Sequence, residues 1–205
     1  VDREEPLYIV GPPKIKEYVE ENRRVLDMYI NYDIVIREVE SPGIVYQGEG
    51  FHVEAFWLRH TKPCLGYTLV EDERPGVFNP QEAERLQVPK GPKWAQLQQG
   101  QTVLSESGEE INPEAVMGSK RPGRKVGYVT DTVYFDGIAP NVAGSDFLVC
   151  EGMFRHELEE SAREKKHLTA HQAASIARDA GGVGTLGLIH YSPRYTEYEL
   201  KQLLK

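Results

Sequence analysis

Three residues with metal-binding chemistry each stand directly after an apolar stretch: His60 after FHVEAFWLR, Asp131 after KVGYVT and His190 after Leu186–Ile189. Two imidazoles and a carboxylate suit zinc or a similar divalent ion. A carboxylate can also bridge two ions, and paired ions stabilise both the attacking and the leaving oxygen of phosphoester cleavage. Taken singly, each residue reads first as a polar cap on a strand, and spacing alone does not bring the three together. His167 is a separate candidate. It lies just before Thr169, where a helix begins, and a helix N-terminus attracts phosphate and disfavours an imidazolium. An imidazole there could serve as general acid to a leaving oxygen, with Glu151 orienting it. His171 lies four residues from His167, a weak metal signal by itself, and His52 and His156 read as surface residues.

The elements that must position these groups alternate between strand and helix. LYIV (7–10) reads as a short strand and GPPKIKEYVEENRRVL (11–26) as a helix, with Pro13 in its first turn and Ile15, Tyr18 and Val19 on its apolar face. DIVIREV (33–39) reads as a strand, GEGFHVEAFWLRH (48–60) as one long strand, and GYTLVE (66–71) as its partner after Pro63. KVGYV and DFLVC are strands ending at Thr130-Asp131-Thr132 and Glu151-Gly152-Met153, and 157–166 reads as helix. Thr169-Ala170-His171-Gln172 and Thr196-Glu197-Tyr198-Glu199 both fit capping boxes that open helices. GGVG (181–184) reads as a helix C-cap and loop rather than a phosphate cradle. Alternating strands and helices predict an α/β layered fold, whose strand ends on one sheet edge gather functional groups. Residues 75–122, rich in Pro, Gly and Gln, lack a clear core pattern apart from a short helix at 80–86. They read as an excursion too long for an ordinary loop.

With 205 residues, 40% of them hydrophobic, the chain can bury one sizeable core. It has no run of about 18 apolar residues, which excludes a transmembrane helix from the reading. The acidic start, VDREEPLYIV, has no signal-peptide pattern. Two cysteines, Cys64 and Cys150, form no CxxC pair, and DFLVC suggests a buried thiol, which makes a reducing cytoplasm the expected location. The net charge of −8 argues against a nucleic-acid partner, but phosphate binding depends on local patches, and SKRPGRK gathers Lys120, Arg121, Arg124 and Lys125.

Together these residues resemble ribonuclease Z, the tRNA 3′-processing endoribonuclease family of the metallo-β-lactamase superfamily. The resemblance is carried, in the family's order, by FWLRHTKPCLGYTLVEDERPG, KGPKWAQLQQG, YVTDT, CEGMF, KKHLTAHQAA and HYSPRY. It implies the metallo-β-lactamase fold, a four-layer αββα sandwich, as one domain over 1–205 with a flexible, tRNA-gripping arm inserted at about 75–122. It implies that His60 and His190 are terminal metal ligands and Asp131 the bridging carboxylate. His167 matches the family's His-x-Thr loop and Glu151 the acid of its His-Glu-Ala-Thr loop, which here reads Cys-Glu-Gly-Met and so lacks the first histidine. Arg194 matches a substrate-phosphate contact, and Gly91 and Pro92 the arm. Two zinc ions, precursor tRNA as substrate and a homodimer, with the helix at 14–25 as candidate contact, follow from the same likeness.

One family feature is absent. None of the six histidines is separated from another by a single residue, so the His-x-His-x-Asp-His signature is missing, and the family runs on beyond LKQLLK. The expectation is therefore a fold truncated at both ends, with an incomplete metal site and no activity alone. Two other readings stand beside it: a non-catalytic tRNA-binding or dimerising module of the same fold, and a metal-dependent hydrolase of other phosphodiesters or sulfate esters.

Overall fold

The computed structural model describes residues 3–203; Val1, Asp2, Leu204 and Lys205, at the two ends read above, lie outside the described residues. The chain opens with β1 (Leu7–Gly11), α1 (Ile15–Val25) and β2 (Ile34–Glu38), followed by β3 (Gly43–Gly48), β4 (Phe51–Arg59) and β5 (Pro63–Glu71). Next come α2 (Pro80–Arg85), α3 (Pro92–Gln98), β6 (Val103–Leu104) and β7 (Glu110–Ile111). The remainder is β8 (Lys125–Val129), α4 (Ile138–Val142), β9 (Phe147–Glu151), α5 (Glu159–Lys165), α6 (Ala170–Asp179), β10 (Thr185–Ile189) and α7 (Glu197–Leu203). Contacts divide these elements into two compact units, residues 1–70 with 124–205, and residues 71–123.

The larger unit is built on a six-stranded sheet in the order β10-β9-β8-β5-β4-β3. β8, β9 and β10 run parallel, whereas β5 pairs antiparallel with β8, from Tyr67↔Tyr128 to Val70↔Lys125. Alternation along β4 feeds two cores. Phe56 and Leu58 join Val129, Leu148 and Cys150, over which α4 and α6 lay Ile138, Val142, Ala173 and Ile176. Ala55 faces the other way, with Val45, Leu65, Val53 and Trp57, where it meets Val39 and Val10 of the first segment. That segment forms a separate parallel pair, β1 with β2, and the Tyr67 hydroxyl donates to the Val10 carbonyl at 3.1 Å. On the neighbouring strands β8 and β9, Val126, Tyr128 and Phe147 remain exposed.

Two sequence readings need correction here. The stretch 48–60 is not one strand: Glu49 and Gly50 form a hairpin turn between β3 and β4, made possible by the positive φ of Gly50 (+78°). Pro13 also lies before the first helix rather than in it. Lys14, at φ +75°, is the N-cap, and the Ile15 amide donates to the Pro12 carbonyl, so the chain turns before it coils. This helix fully buries no residue, and Tyr18 is exposed. The capping box at Thr169 forms with both hydrogen bonds, and Gly181 and Gly182 end α6 with φ of +86° and +90°, the backbone a left-handed C-cap requires.

The smaller unit has the core that the sequence pattern did not reveal. Ala83, Val88, Leu97, Val103, Ile111 and Val116 are all buried, with Phe78 and Trp94 packed against them. Each short element contributes only one or two of these residues, too few to create a readable period. Trp94 donates its indole N–H to the Val88 carbonyl at 3.0 Å. The base of the unit is tied by mutual backbone hydrogen bonds between Arg74 and Arg121, and Arg121 and Lys120 also engage the Pro75 carbonyl and Glu73. Leu97→Ala is expected to cost the unit about 2–5 kcal/mol. Hydrogen exchange should show amides across 80–116 losing protection while those of β8–β10 keep theirs.

Candidate active site

The strand order explains how distant residues meet. β8, β9 and β10 are parallel, so the residues that follow them, Asp131, Glu151 at the end of β9, and His190, share one edge. β4 and β5 form a hairpin, and β5 runs against β8, so β4 points the same way as β8 and delivers His60 to that edge. His167 arrives from the turn between α5 and α6.

The two oxygens of Asp131 face different imidazoles. Oδ2 lies 4.0 Å from His60 Nε2, and Oδ1 lies 3.2 Å from His190 Nδ1. His60 Nδ1 is 2.9 Å from the Lys166 carbonyl, which can only accept, so Nδ1 carries a proton and Nε2 is the nitrogen turned toward Asp131. The Lys166 carbonyl is aimed by an unusual backbone: Lys166 ends α5 at φ +58°. His190 itself has φ +56°, a second strained position at the same edge.

Glu151 is fully buried, and its Oε2 lies 3.1 Å from His167 Nδ1 and 3.7 Å from His190 Nδ1. Its Oε1 accepts the Thr132 amide at 2.6 Å. Burial pushes the Glu151 carboxyl up to about 8, against the opposing pull of the Thr132 and Leu168 amides. Burial likewise pushes His167 down, reinforced by His190 and His60 and opposed by Asp131. Both shifts disfavour a carboxylate–imidazolium pair and favour neutral partners sharing one proton. The His167 ring lies between the other two, with centroids 5.0 Å from His60 and 5.1 Å from His190.

This donor set fits a divalent cation. Two groups of ligand atoms converge, His60 with Asp131 and His167, and Glu151 with His167 and His190. Among the described residues no lysine or arginine pairs with Asp131 or Glu151, so imidazoles are their only ionisable basic partners. Ligand atoms about 2.0–2.2 Å from one ion are separated by roughly 3.3 Å at a tetrahedral angle and at most about 4.2 Å. The 3.2 and 4.0 Å separations around Asp131 lie close to those bounds.

Arg194 is placed by the turn after β10. Its Nε donates to the buried Ser192 hydroxyl at 2.8 Å, and its guanidinium carbon is 5.4 Å from the centroid of the Phe154 ring. The same ring is 6.3 Å from His167, which leaves Arg194 exposed beside the site. Gly91 and Pro92 belong to the smaller unit, where Gly91 (φ +142°) is the N-cap of α3 and Pro92 its first residue. Sequence reasoning gave no role to Thr132, Lys166 or Ser192. Thr132 is buried; its hydroxyl accepts the Arg59 amide at 3.0 Å while its own amide holds Glu151, tying the ends of β4, β8 and β9. The Thr-Asp-Thr triplet was the available signal, whereas the Lys166 contribution is a carbonyl and has no side-chain signature.

Comparison with known proteins agrees with this architecture. Residues 96–191 match a family model described as a β-lactamase superfamily domain. The chain is 60% identical over 204 residues to ribonuclease Z of Treponema denticola and 59% identical over 205 residues to that of Treponema pallidum. In both cases all of this chain is covered, and it spans 66% of the relative's length. The crystal structure of human short-form tRNase Z superposes with a TM-score of 0.62 at 19% identity, over 93% of this chain and 62% of that one. The chain thus has the metallo-β-lactamase fold and is similar, over its whole length, to ribonuclease Z.

Proposed function

We propose that this chain carries part of the active site of a metal-dependent endoribonuclease that removes the 3′ trailer from precursor tRNA. The observation that carries the reading is Asp131, whose two oxygens address His60 and His190 separately, as a carboxylate between two ions would. His60, Asp131 and His190 would hold zinc, with two ions in the whole protein. When bound, such ions supply Lewis-acid chemistry, polarising a phosphoryl oxygen and easing deprotonation of water. The chain's own residues would do the rest. Arg194 would hold a substrate phosphate. Water loses one proton to solvent and adds its oxygen to phosphorus, the P–O3′ bond breaks, and His167 would give its Nε2 proton to the departing 3′ oxygen while Nδ1 takes up the proton shared with Glu151. The products are a 3′-hydroxyl on the tRNA body and a 5′-phosphate on the trailer.

The folded unit at 71–123, with Gly91 and Pro92 at the start of α3, would grip the tRNA body, since structured RNA is recognised through shape and backbone. A homodimer formed through α1 is consistent with that helix burying no residue of its own, and Tyr18, Val25 and Leu26 are exposed. No helix among the described residues is long and apolar enough to cross a membrane, and a cytoplasmic location would suit the two free cysteines.

The test is cleavage of a precursor tRNA by the full-length protein before and after exhaustive chelation. The expected result is a trailer bearing a 5′-phosphate, loss of cleavage without metal and recovery with zinc. Undiminished cleavage after metal removal would sink the metal-dependent reading. Binding of tRNA without cleavage would point to a non-catalytic module, and turnover of small phosphodiesters or sulfate esters alone to a different hydrolase.

A further inference from the structure

The cavity beside His167 has a composition that the cleavage reading leaves unexplained. It holds about 400 Å³, the size of a small-molecule site. His167, Gln172, Glu159, Glu160 and Arg163 line it, together with Val133 and Tyr134. Some of these groups are already satisfied. Gln172 donates to Glu159 at 3.1 Å and accepts the Thr169 amide at 3.0 Å. The Tyr134 hydroxyl donates to Asp179 at 3.4 Å, which leaves its ring as wall. Glu160 and Arg163, one turn apart on α5, form no side-chain hydrogen bond or ion pair among the described residues.

Two carboxylates against one guanidinium make a poor phosphate site, because an anion would meet more negative charge than positive. An aromatic wall with one free acceptor and one free multiple donor instead suits a neutral heterocycle carrying N–H groups. Unpaired bases in RNA are recognised in this way, by stacking on aromatic rings and hydrogen bonding along their edges.

We propose that this cavity is the base pocket for the nucleotide on the 5′ side of the cleaved bond. The inference rests on the endoribonuclease reading, and His167 fixes the side. The leaving O3′ belongs to the 5′ nucleotide, so the residue that protonates it stands next to that nucleotide's sugar and base. Glu160 accepts from an exocyclic amino group, Arg163 donates to a ring nitrogen or carbonyl, and Tyr134 stacks on the ring. Adenine and guanine satisfy all three contacts, cytosine offers a smaller ring, and uracil has no amino group.

The experiment uses the full-length protein and four precursor tRNAs that differ only in the unpaired nucleotide 5′ of the cleaved bond. The parent enzyme should show kcat/KM for adenine or guanine about tenfold or more above uracil. Glu160→Gln, nearly isosteric and exposed on its helix, and Arg163→Ala should each bring that ratio toward one. Cleavage of all four precursors at equal rates, or a preference that both variants retain, would overturn the pocket while leaving the endoribonuclease standing. Cleavage of none would overturn both.

Discussion

Asp131→Ala in the full-length protein is expected to slow precursor cleavage by roughly 10³-fold or more and to lower the metal content of the purified protein. The size of the effect follows from position. Asp131 is the one carboxylate that faces both His60 and His190, at 4.0 and 3.2 Å, so its loss weakens both ends of the donor set at once. Asp131→Asn keeps the shape and one oxygen but loses the negative charge, and should fall between parent and alanine variant. Elemental analysis by mass spectrometry, paired with single-turnover rates, tests this directly. Parent-level metal with a parent-level rate would show that Asp131 is only a strand cap.

His167→Ala should lower the single-turnover rate by about 10²–10⁴-fold, the usual worth of a positioned general acid. Metal content should change far less, and so should KM, because the proton is needed only as the 3′ oxygen departs. A precursor with sulfur in place of the bridging 3′ oxygen separates acid catalysis from a structural or ligand role. Sulfur leaves readily without a proton, so the variant should approach the parent rate on that substrate to within about tenfold. An equal loss on both substrates would mean that His167 holds metal or shape instead. Glu151, whose Oε2 is 3.1 Å from Nδ1, would then act through the ring rather than on the substrate.

Much of the scaffold behind these residues was legible because strands and caps have local causes. KVGYV became β8 without adjustment, and Thr169 closes both hydrogen bonds of its capping box. The pairing of Glu151 with His167 followed from chemistry that the residue types announced. Convergence of His60, Asp131 and His190 was not legible, because it depends on strand order and direction, which are set by long-range packing rather than by neighbours in sequence. The β3–β4 turn was read through because Gly48 and Gly50 lie within an otherwise extended, apolar stretch. Residues 80–116 looked coreless because Leu97, Val103, Ile111 and Val116 each sit in an element too short to repeat. The carbonyl of Lys166 could not have been foreseen, since its role comes from a left-handed backbone rather than from the lysine side chain.

The pairing of Val70 with Lys125 has a consequence for how this protein can vary. The two ends of the 71–123 segment leave the sheet from facing positions on adjacent antiparallel strands, a gap that a two-residue turn spans. The segment is therefore a cassette. Its length can change without altering the strand register that brings Asp131 to the edge it shares with His60 and His190, so the two stretches of the gene can vary separately.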